Sequence, residues 1–262
     1  MTTITTNGPV TEAPRLSEDQ QAELFDLIAD ADSVELKLTV PESNRMQLIT
    51  ALGLDPLDIE VRQVFFFDTP DLQLYQTGVV ARARRIQNKK GDSVVKLRPV
   101  VPNELPEDLR KLPEFSVEVD AMPGGYVCSA SMKGTVTNDR VAEAVLGKRP
   151  LRKVFSKEQR AFFADHAPEG AELDSLRMLG PITVFKLKSR PVGYDRKIVL
   201  ELWNYPDFTR ILEFSTKCAP AETQNVVEEL RTFLTERGAD LAAEQETKTR
   251  TALEFFSERL TN

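Results

Sequence analysis

The segment Val80-Ala81-Arg82-Ala83-Arg84 alternates small apolar side chains with arginines. Successive side chains of a β-strand point to opposite faces, so Arg82 and Arg84 would share one face. A short loop leads to Val95-Lys96-Leu97-Arg98, which repeats the same alternation. The two segments therefore predict strands that each carry a pair of cations on one face and apolar residues on the other.

Five further segments show the same alternation, with charged or polar residues at every second position. Their charged sets are Glu35 and Lys37; Glu118 and Asp120; Lys186, Lys188 and Arg190; Glu201 with Trp203; and Glu213, Ser215 and Lys217. One wet face of an open antiparallel sheet would give this pattern. However, basic pairs and the acidic pair fall on separate strands, whereas a solvated face tends to mix charges for cross-strand pairing. We therefore favour charged faces that converge inside a barrel.

The remaining sequence predicts helices that would cover the apolar face of this sheet. Capping-box patterns begin helices at Ser17 and Ser156. Other helices are predicted after Pro41, after Asp139, and at 221–237 and 245–260. Strands are predicted at 33–40, 59–67, 78–87, 93–99, 114–121, 181–190, 196–205 and 208–217, while 122–136 is ambiguous.

These elements predict an α+β protein, namely an eight-stranded antiparallel β-barrel with a charged lumen, covered by amphipathic helices. Eight strands suffice to close a barrel, and hairpin-length connections favour antiparallel pairing. We expect a flexible tail at 1–16 and a single domain at 17–262, including the C-terminal helices. The last helix would dock on the barrel or form the contact of a homodimer.

Composition narrows the possible chemistry. The formal net charge is -7, which disfavours a nucleic-acid surface, and any anion site must be a local basic cluster. One histidine and two separated cysteines leave carboxylates, lysines and arginines to carry the chemistry. The N-terminus lacks the pattern of a signal peptide, and no apolar run is long enough to span a bilayer, so we expect a cytoplasmic protein.

A barrel lumen lined with lysine and arginine is costly unless water or an anion fills it. Polyphosphates fit, because both side chains bind phosphate oxygens. Clustered carboxylates could hold Mg²⁺ or Mn²⁺ beside the phosphates. The sequence has no glycine-rich loop of the P-loop kind, which argues against phosphate binding at a helix N-terminus.

The order of these charged strands resembles the CYTH superfamily of triphosphate tunnel metalloenzymes. The resemblance runs from about Ser33 to Lys217 and includes the turn Phe67-Asp68-Thr69-Pro70. It implies a tunnel whose walls bind the substrate. The residues implied in substrate binding are Lys37, Arg82, Arg84, Lys96, Arg98, Glu118, Asp120, Lys186, Lys188 and Lys217.

The sequence has fewer acidic residues in the metal-binding part of the pattern than that superfamily has. Ser33, Trp203 and Ser215 stand where the family has a second acid beside Glu35, Glu201 and Glu213. The three remaining glutamates are predicted to hold one Mg²⁺ or Mn²⁺ ion, with water completing the shell. No residue is identified that would position an attacking water.

The resemblance implies a metal-dependent phosphohydrolase, a triphosphatase that acts on inorganic triphosphate or on a nucleoside or other organic triphosphate. A class IV-type adenylyl cyclase would share the phosphate cradle but would also need to recognise adenine. A non-catalytic module that binds polyphosphate or a nucleotide is the third possibility, favoured by Ser33, Trp203 and Ser215. Turnover and product analysis separate the three.

Overall fold

A computed structural model describes residues 16–242, 245 and 248–260 of the chain. The expected tail at 1–16 lies outside the described residues except for Leu16. Within the described part, nine strands form one closed barrel. They are β1 (Ser33–Val40), β2 (Glu60–Asp68), β3 (Val79–Ile86), β4 (Gly91–Leu97), β5 (Phe115–Met122), β6 (Gly125–Val136), β7 (Arg177–Ser189), β8 (Ile198–Asn204) and β9 (Arg210–Cys218).

The order of strands around the barrel is β1-β5-β6-β4-β3-β2-β7-β8-β9, and β9 pairs with β1 to close it. The predicted α+β barrel is confirmed, with two corrections. The ambiguous segment 122–136 supplies the ninth strand, β6, which pairs antiparallel with β5. In addition, β1 and β5 are parallel, with Glu35 opposite Asp120. A parallel pair needs a long connection, and here the connection contains β2, β3 and β4.

Eight helices lie in the described residues. They are α1 (Glu18–Ala29), α2 (Arg45–Ala51), α3 (Gln73–Gln76), α4 (Glu107–Arg110), α5 (Asn138–Val145), α6 (Lys157–His166), α7 (Thr223–Glu236) and α8 (Lys248–Leu260). Both predicted capping boxes are present, at Ser17 and at Ser156. The six predicted helices are found, and the two extra ones, α3 and α4, are single turns.

The main hydrophobic core lies between the outer face of the barrel and its helices. Strand residues such as Leu36 and Phe214 point outward and pack with helix residues such as Leu48, Phe162 and Leu230. Burial of each large side chain contributes about 1.5–3 kcal/mol, so this layer is the main source of stability. Because the outward faces are apolar, the alternating charged faces are directed into the lumen.

A buried glutamine fixes α6 against the barrel wall. The Gln159 side chain donates to the carbonyls of Ser93 and Met132 at 2.9 and 3.0 Å, and its Oε1 accepts from the Ser93 hydroxyl at 2.8 Å. A Cβ at Gly134 would lie 2.6 Å from Gln159 Oε1, so glycine is needed for this close approach. The network orients β4, which carries part of the cationic wall of the lumen.

A second hydrophobic cluster fills one end of the lumen. Val64, Phe66 and Val80 lie on the lumen side of their strands and pack with Trp203 and other apolar residues. The inner face of α8 enters this cluster through Ala252 and Leu253, which are almost fully buried. The expected docking of the last helix on the barrel is thus confirmed. The lumen consequently has an apolar end filled by side chains and a charged end. No helix in the described residues is long and apolar enough to cross a membrane.

Candidate anion-binding site in the barrel

The charged end of the lumen is a cavity of about 350 Å³. Nine lysines and arginines and six aspartates and glutamates line it, which gives a formal charge of +3. The cations are Lys37, Arg82, Arg84, Lys96, Arg98, Lys133, Lys186, Lys217 and Lys248; the acids are Glu35, Asp92, Glu118, Asp120, Glu201 and Glu213. The chain as a whole carries a formal charge of -7, so the cavity differs from the rest of the chain in the sign of its net charge.

Twelve of the thirteen site residues predicted from the sequence line this cavity. Lys188 is the exception: its side chain is exposed near the end of β7, beyond Lys186 on the same face. Alternation of side chains gives the face of a strand correctly, but it does not give the point at which the strand leaves the barrel wall. Lys188 therefore lies outside the cavity although it shares a face with Lys186.

An acidic cluster lies where β1 pairs in parallel with β5. Carboxylate oxygens of Glu35, Glu118 and Asp120 all lie within 4.8 Å of one another. The Lys37 ammonium lies 2.9 Å from Asp120 Oδ1 and 3.3 Å from Glu35 Oε2, and Lys217 pairs with Glu118. Burial would raise the pKa of Glu35, but the ammonium groups of Lys37, Lys248 and Lys217 together outweigh it, and the pKa lies below its ordinary value. The same balance holds the pKa of Asp120 below its ordinary value, so both groups are ionised at neutral pH.

The predicted grouping of Glu35 with Glu201 and Glu213 is not the one that the structure brings together. Strand register places Glu35 opposite Lys217 and Glu213 opposite Thr39, four residues farther along β1. Glu201 and Glu213 are direct neighbours of each other across β8 and β9. Among the described residues, the only acidic group close enough to share one metal ion is Glu35, Glu118 and Asp120. The parallel pairing of β1 with β5, which the sequence did not reveal, causes this difference.

The pair Glu201 and Glu213 is bridged by a lysine from α8. Lys248 Nζ lies 2.7 Å from Glu201 Oε2 and 2.6 Å from Glu213 Oε1. Lys186 also reaches Glu201, at 2.8 Å. Burial alone would raise the pKa of Glu201, but Lys248 and Lys186 hold it well below its ordinary value. Both carboxylates are therefore already partnered by cations of the chain itself.

The opposite wall, formed by β3 and β4, carries cations with fewer partners. Arg84 forms a bidentate salt bridge with Asp92: its Nε donates to Oδ1 at 2.8 Å and its Nη2 donates to Oδ2 at 2.7 Å. By contrast, the buried Nε of Arg82 has no hydrogen-bond partner in the described part of the chain. Burial, reinforced by the neighbouring Arg84, lowers the pKa of Arg82 to about 10. Arg82 therefore stays charged at neutral pH, and among the described residues Asp92 and Glu201 act on it only from beyond ion-pair distance.

Lys96 on β4 and Arg98, the residue that follows the strand, extend this wall. The nearest acid to Lys96 is Asp120, at 3.8 Å, which is too long for a hydrogen bond. Burial, only partly opposed by Asp120, lowers the pKa of Lys96 to about 8. Burial likewise lowers the pKa of Arg98. Together with Arg82, these side chains form a wall suited to a bound anion.

Three charged residues of the cavity were missed by the sequence analysis. Asp92 lies on the lumen face of β4 with a predicted site residue, and Lys133 lies on the lumen face of β6 with polar residues. Strand alternation would have identified both once the two strands were assigned in full. Lys248 belongs to a helix, and its neighbours in the sequence suggest an ordinary solvated face. Only the docking of α8 reveals that its ammonium enters the barrel.

No family model and no curated protein sequence matches the chain. Two solved structures share its fold. HpAC1 from Hippeastrum, described as a candidate adenylyl cyclase with a dominant triphosphatase activity, aligns with a TM-score of 0.62 and 20% identity over 84% of this chain and 95% of its own. A candidate adenylate cyclase from Bacillus halodurans aligns with a TM-score of 0.59 and 14% identity over 84% and 96% of the two chains. These likenesses establish the fold, and they agree with the fold that the CYTH resemblance implies.

Proposed function

We propose that the charged cavity binds a triphosphate chain, either inorganic or as part of an organic triphosphate. The observation that carries this proposal is the excess of cations in the cavity, and above all the buried, unpartnered Nε of Arg82. An unpaired buried charge costs several kcal/mol, and a bound anion removes that cost. Phosphate oxygens match the donors of arginine and lysine in both charge and geometry.

The proposed reaction is hydrolysis of a phosphoanhydride bond of that triphosphate, assisted by Mg²⁺ or Mn²⁺. Glu35, Glu118 and Asp120 suit such an ion, because they offer clustered oxygen donors that face the cavity. When bound, the ion would neutralise charge on the phosphate oxygens. Arg82 on β3, with Lys96 and Arg98 on and just after β4, would bind and orient the phosphate chain.

The apolar end of the lumen would strengthen phosphate binding by excluding water. The apolar cluster around Trp203 and Leu253 closes the cavity on one side and leaves no room for bulk water there. Charge interactions are stronger where water is excluded, so phosphate oxygens near this end would be held more tightly. The substrate would therefore enter from the charged end.

A non-catalytic anion-binding module is the second candidate. One observation favours it: all six acids of the cavity have lysine or arginine partners within 4.0 Å. With its carboxylates neutralised in this way, the cavity could hold an anion without a metal ion. Adenylyl cyclase activity is supported only by the descriptions of the two fold neighbours.

Phosphate release from inorganic triphosphate and from ATP, with and without Mg²⁺ or Mn²⁺, tests the proposal. We expect metal-dependent release that is lost in Asp120→Asn, whereas Lys188→Met, which alters a lysine outside the cavity, retains it. Binding of triphosphate without release would establish the non-catalytic module, and cyclic AMP formed from ATP would establish a cyclase. If the protein neither binds nor hydrolyses triphosphate, the proposal of a triphosphate site in the cavity is contradicted.

A further inference from the structure

Lys248 is the first residue of α8, and its side chain extends into the charged cavity. Its ammonium contacts both Glu201 and Glu213, at 2.7 and 2.6 Å, and only 13% of the side chain is exposed. The ammonium also lies 5.0 Å from the centroid of the Trp203 ring, a cation–π distance. These contacts enclose one lysine between two carboxylates and an aromatic ring.

The two glutamates need a cation at this position. Glu201 and Glu213 lie directly opposite each other on neighbouring strands, where like charges repel. Two buried carboxylates that share a site must lose one charge to a proton or gain a positive partner. Burial alone would lower the pKa of Lys248, but Glu201 and Glu213 outweigh it and raise that pKa. The Lys248 ammonium, which contacts both carboxylates, supplies that positive partner.

Contacts of α8 with the barrel fix the position of the Lys248 backbone, and therefore of its ammonium. The Tyr205 hydroxyl donates to the carbonyl oxygen of Lys248 at 3.1 Å. One turn further along α8, Ala252 and Leu253 are buried in the apolar cluster. The helix is thus anchored independently of its lysine, so little additional ordering is needed to place the ammonium between the acids.

The surroundings offer poor ligands for a divalent ion. Mg²⁺ needs six oxygen ligands in a nearly octahedral arrangement, and Mn²⁺ prefers the same oxygen donors. The Glu201 carboxylate already accepts from Lys186, Lys248 and the Trp203 indole, at 2.8, 2.7 and 3.3 Å. Apart from Glu213 on the neighbouring strand, these partners of the Glu201 carboxylate are nitrogen donors, which repel or cannot coordinate a metal cation.

We propose that Lys248 is a built-in cation that occupies the place of a divalent metal ion between Glu201 and Glu213. As a result, this pair of acids holds no metal ion while Lys248 is present. The negative charge of the pair is balanced by the Lys248 ammonium, which is covalently part of the chain and cannot be lost to solvent as a metal ion can. The ammonium reaches the two acids only while α8 is docked. This inference concerns only residues of the chain and does not depend on triphosphate hydrolysis.

Binding of Mn²⁺ alone to the full chain, counted by electron paramagnetic resonance of the free ion, tests the inference. Lys248→Met removes the charge and keeps an unbranched side chain, and we expect it to gain one Mn²⁺ site per chain. The gained site disappears in Lys248→Met/Glu213→Gln, and Lys248→Arg, which keeps the charge, gains none. Glu213→Gln in the otherwise unchanged chain leaves the number of bound Mn²⁺ ions as it was.

Two results would overturn the inference. One is a loss of Mn²⁺ from the otherwise unchanged chain on Glu213→Gln, because that pair would then bind metal beside Lys248. The other is a folded Lys248→Met variant, verified by circular dichroism, that gains no site. The first comparison stands even if Lys248→Met does not fold. Hydrolytic activity enters neither comparison, so failure of the proposed function would be recognised separately.

Discussion

Arg82 and Arg84 lie on the same face of β3 but differ in their partners. Arg84 is paired with Asp92, whereas the buried Nε of Arg82 has no partner among the described residues. We expect Arg82→Met to raise the free energy of unfolding by about 1 kcal/mol, because it removes a half-buried guanidinium whose Nε has no hydrogen-bond partner in the described residues. The same change should weaken triphosphate binding about 10- to 100-fold, since charged hydrogen bonds to the anion are lost. Chemical denaturation and calorimetry measure the two effects.

Arg84→Met is the matched control for this prediction. It leaves Asp92 without its arginine and should lower the free energy of unfolding, opposite in sign to Arg82→Met. If both variants lost stability equally, the distinction between the paired and the unpaired arginine would be wrong.

Lys96 should make anion binding depend on pH. Because its pKa is lowered to about 8, raising the pH from 7 to 9 removes the proton from the empty site. We expect triphosphate affinity to fall by up to about 10-fold over this interval, while the anion itself favours the charged lysine. Calorimetric titrations at several pH values measure the change. Lys96→Arg keeps its charge and should bind equally well at pH 7 and 9; an unchanged pH dependence in that variant would assign the effect to another group.

The same lowered pKa has a consequence for stability. The pKa of Lys96 is below its unfolded value of 10.5, so between about pH 8 and 10.5 the unfolded chain binds more protons at this residue. The contribution of Lys96 to the free energy of unfolding therefore increases as the pH rises through this window, while its contribution to anion binding decreases.

At the level of single residues, the sequence allowed most of the cavity to be predicted. Alternation along strands placed Arg82, Lys96 and Asp120 in the lumen, because that rule depends only on local geometry. Which carboxylates meet in space depends on strand order and register, so the grouping of Glu35 with Asp120 was not predictable. Lys248 could not be assigned either, since a helical lysine enters a cavity only through tertiary docking.

Among the elements, α8 is the one whose docking shapes the cavity. Leu253→Ala removes a side chain that is only 2% exposed in the apolar cluster. Such a change costs about 2–5 kcal/mol, and we expect the cost to fall on the docking of α8 because its contacts lie at one end of the barrel. Hydrogen exchange should show faster exchange for residues 248–260 while the barrel strands stay protected.

Leu48→Ala is the matched control for the helix prediction, since Leu48 is fully buried in the outer core through α2. It should accelerate exchange in α2 and leave α8 protected. Equal loss of protection in α8 and the strands of Leu253→Ala would mean that α8 and the barrel unfold as one cooperative unit.

The strands show where sequence patterns give the architecture and where they do not. Eight strands and the inward charged face followed from alternation, and the closed barrel confirms them. The ninth, β6, was ambiguous because Gly124-Gly125 interrupts the pattern at its start and small polar residues such as Ser129 and Ser131 weaken the contrast between faces. The parallel pairing of β1 with β5 joins segments about 80 residues apart, for which no local signal exists.

For the whole molecule, charge is divided between inside and outside. The cavity carries +3 while the chain carries -7, so the residues outside the cavity together carry -10. An acidic exterior repels large polyanions such as nucleic acid, whereas a small polyanion that enters the barrel meets the opposite charge. This arrangement favours a compact phosphate-rich ligand, and exclusion of nucleic acid remains a prediction.

The most direct test of the account is calorimetric titration of the full chain with inorganic triphosphate, with monophosphate as the comparison ligand. We predict one triphosphate bound per chain, at least about ten-fold more tightly than monophosphate, because several wall cations act on one phosphate chain. Affinity should fall in Arg82→Met and remain unchanged in Lys188→Met. Absence of saturable triphosphate binding, or binding that is insensitive to Arg82→Met, would contradict the central claim that the barrel is an anion site.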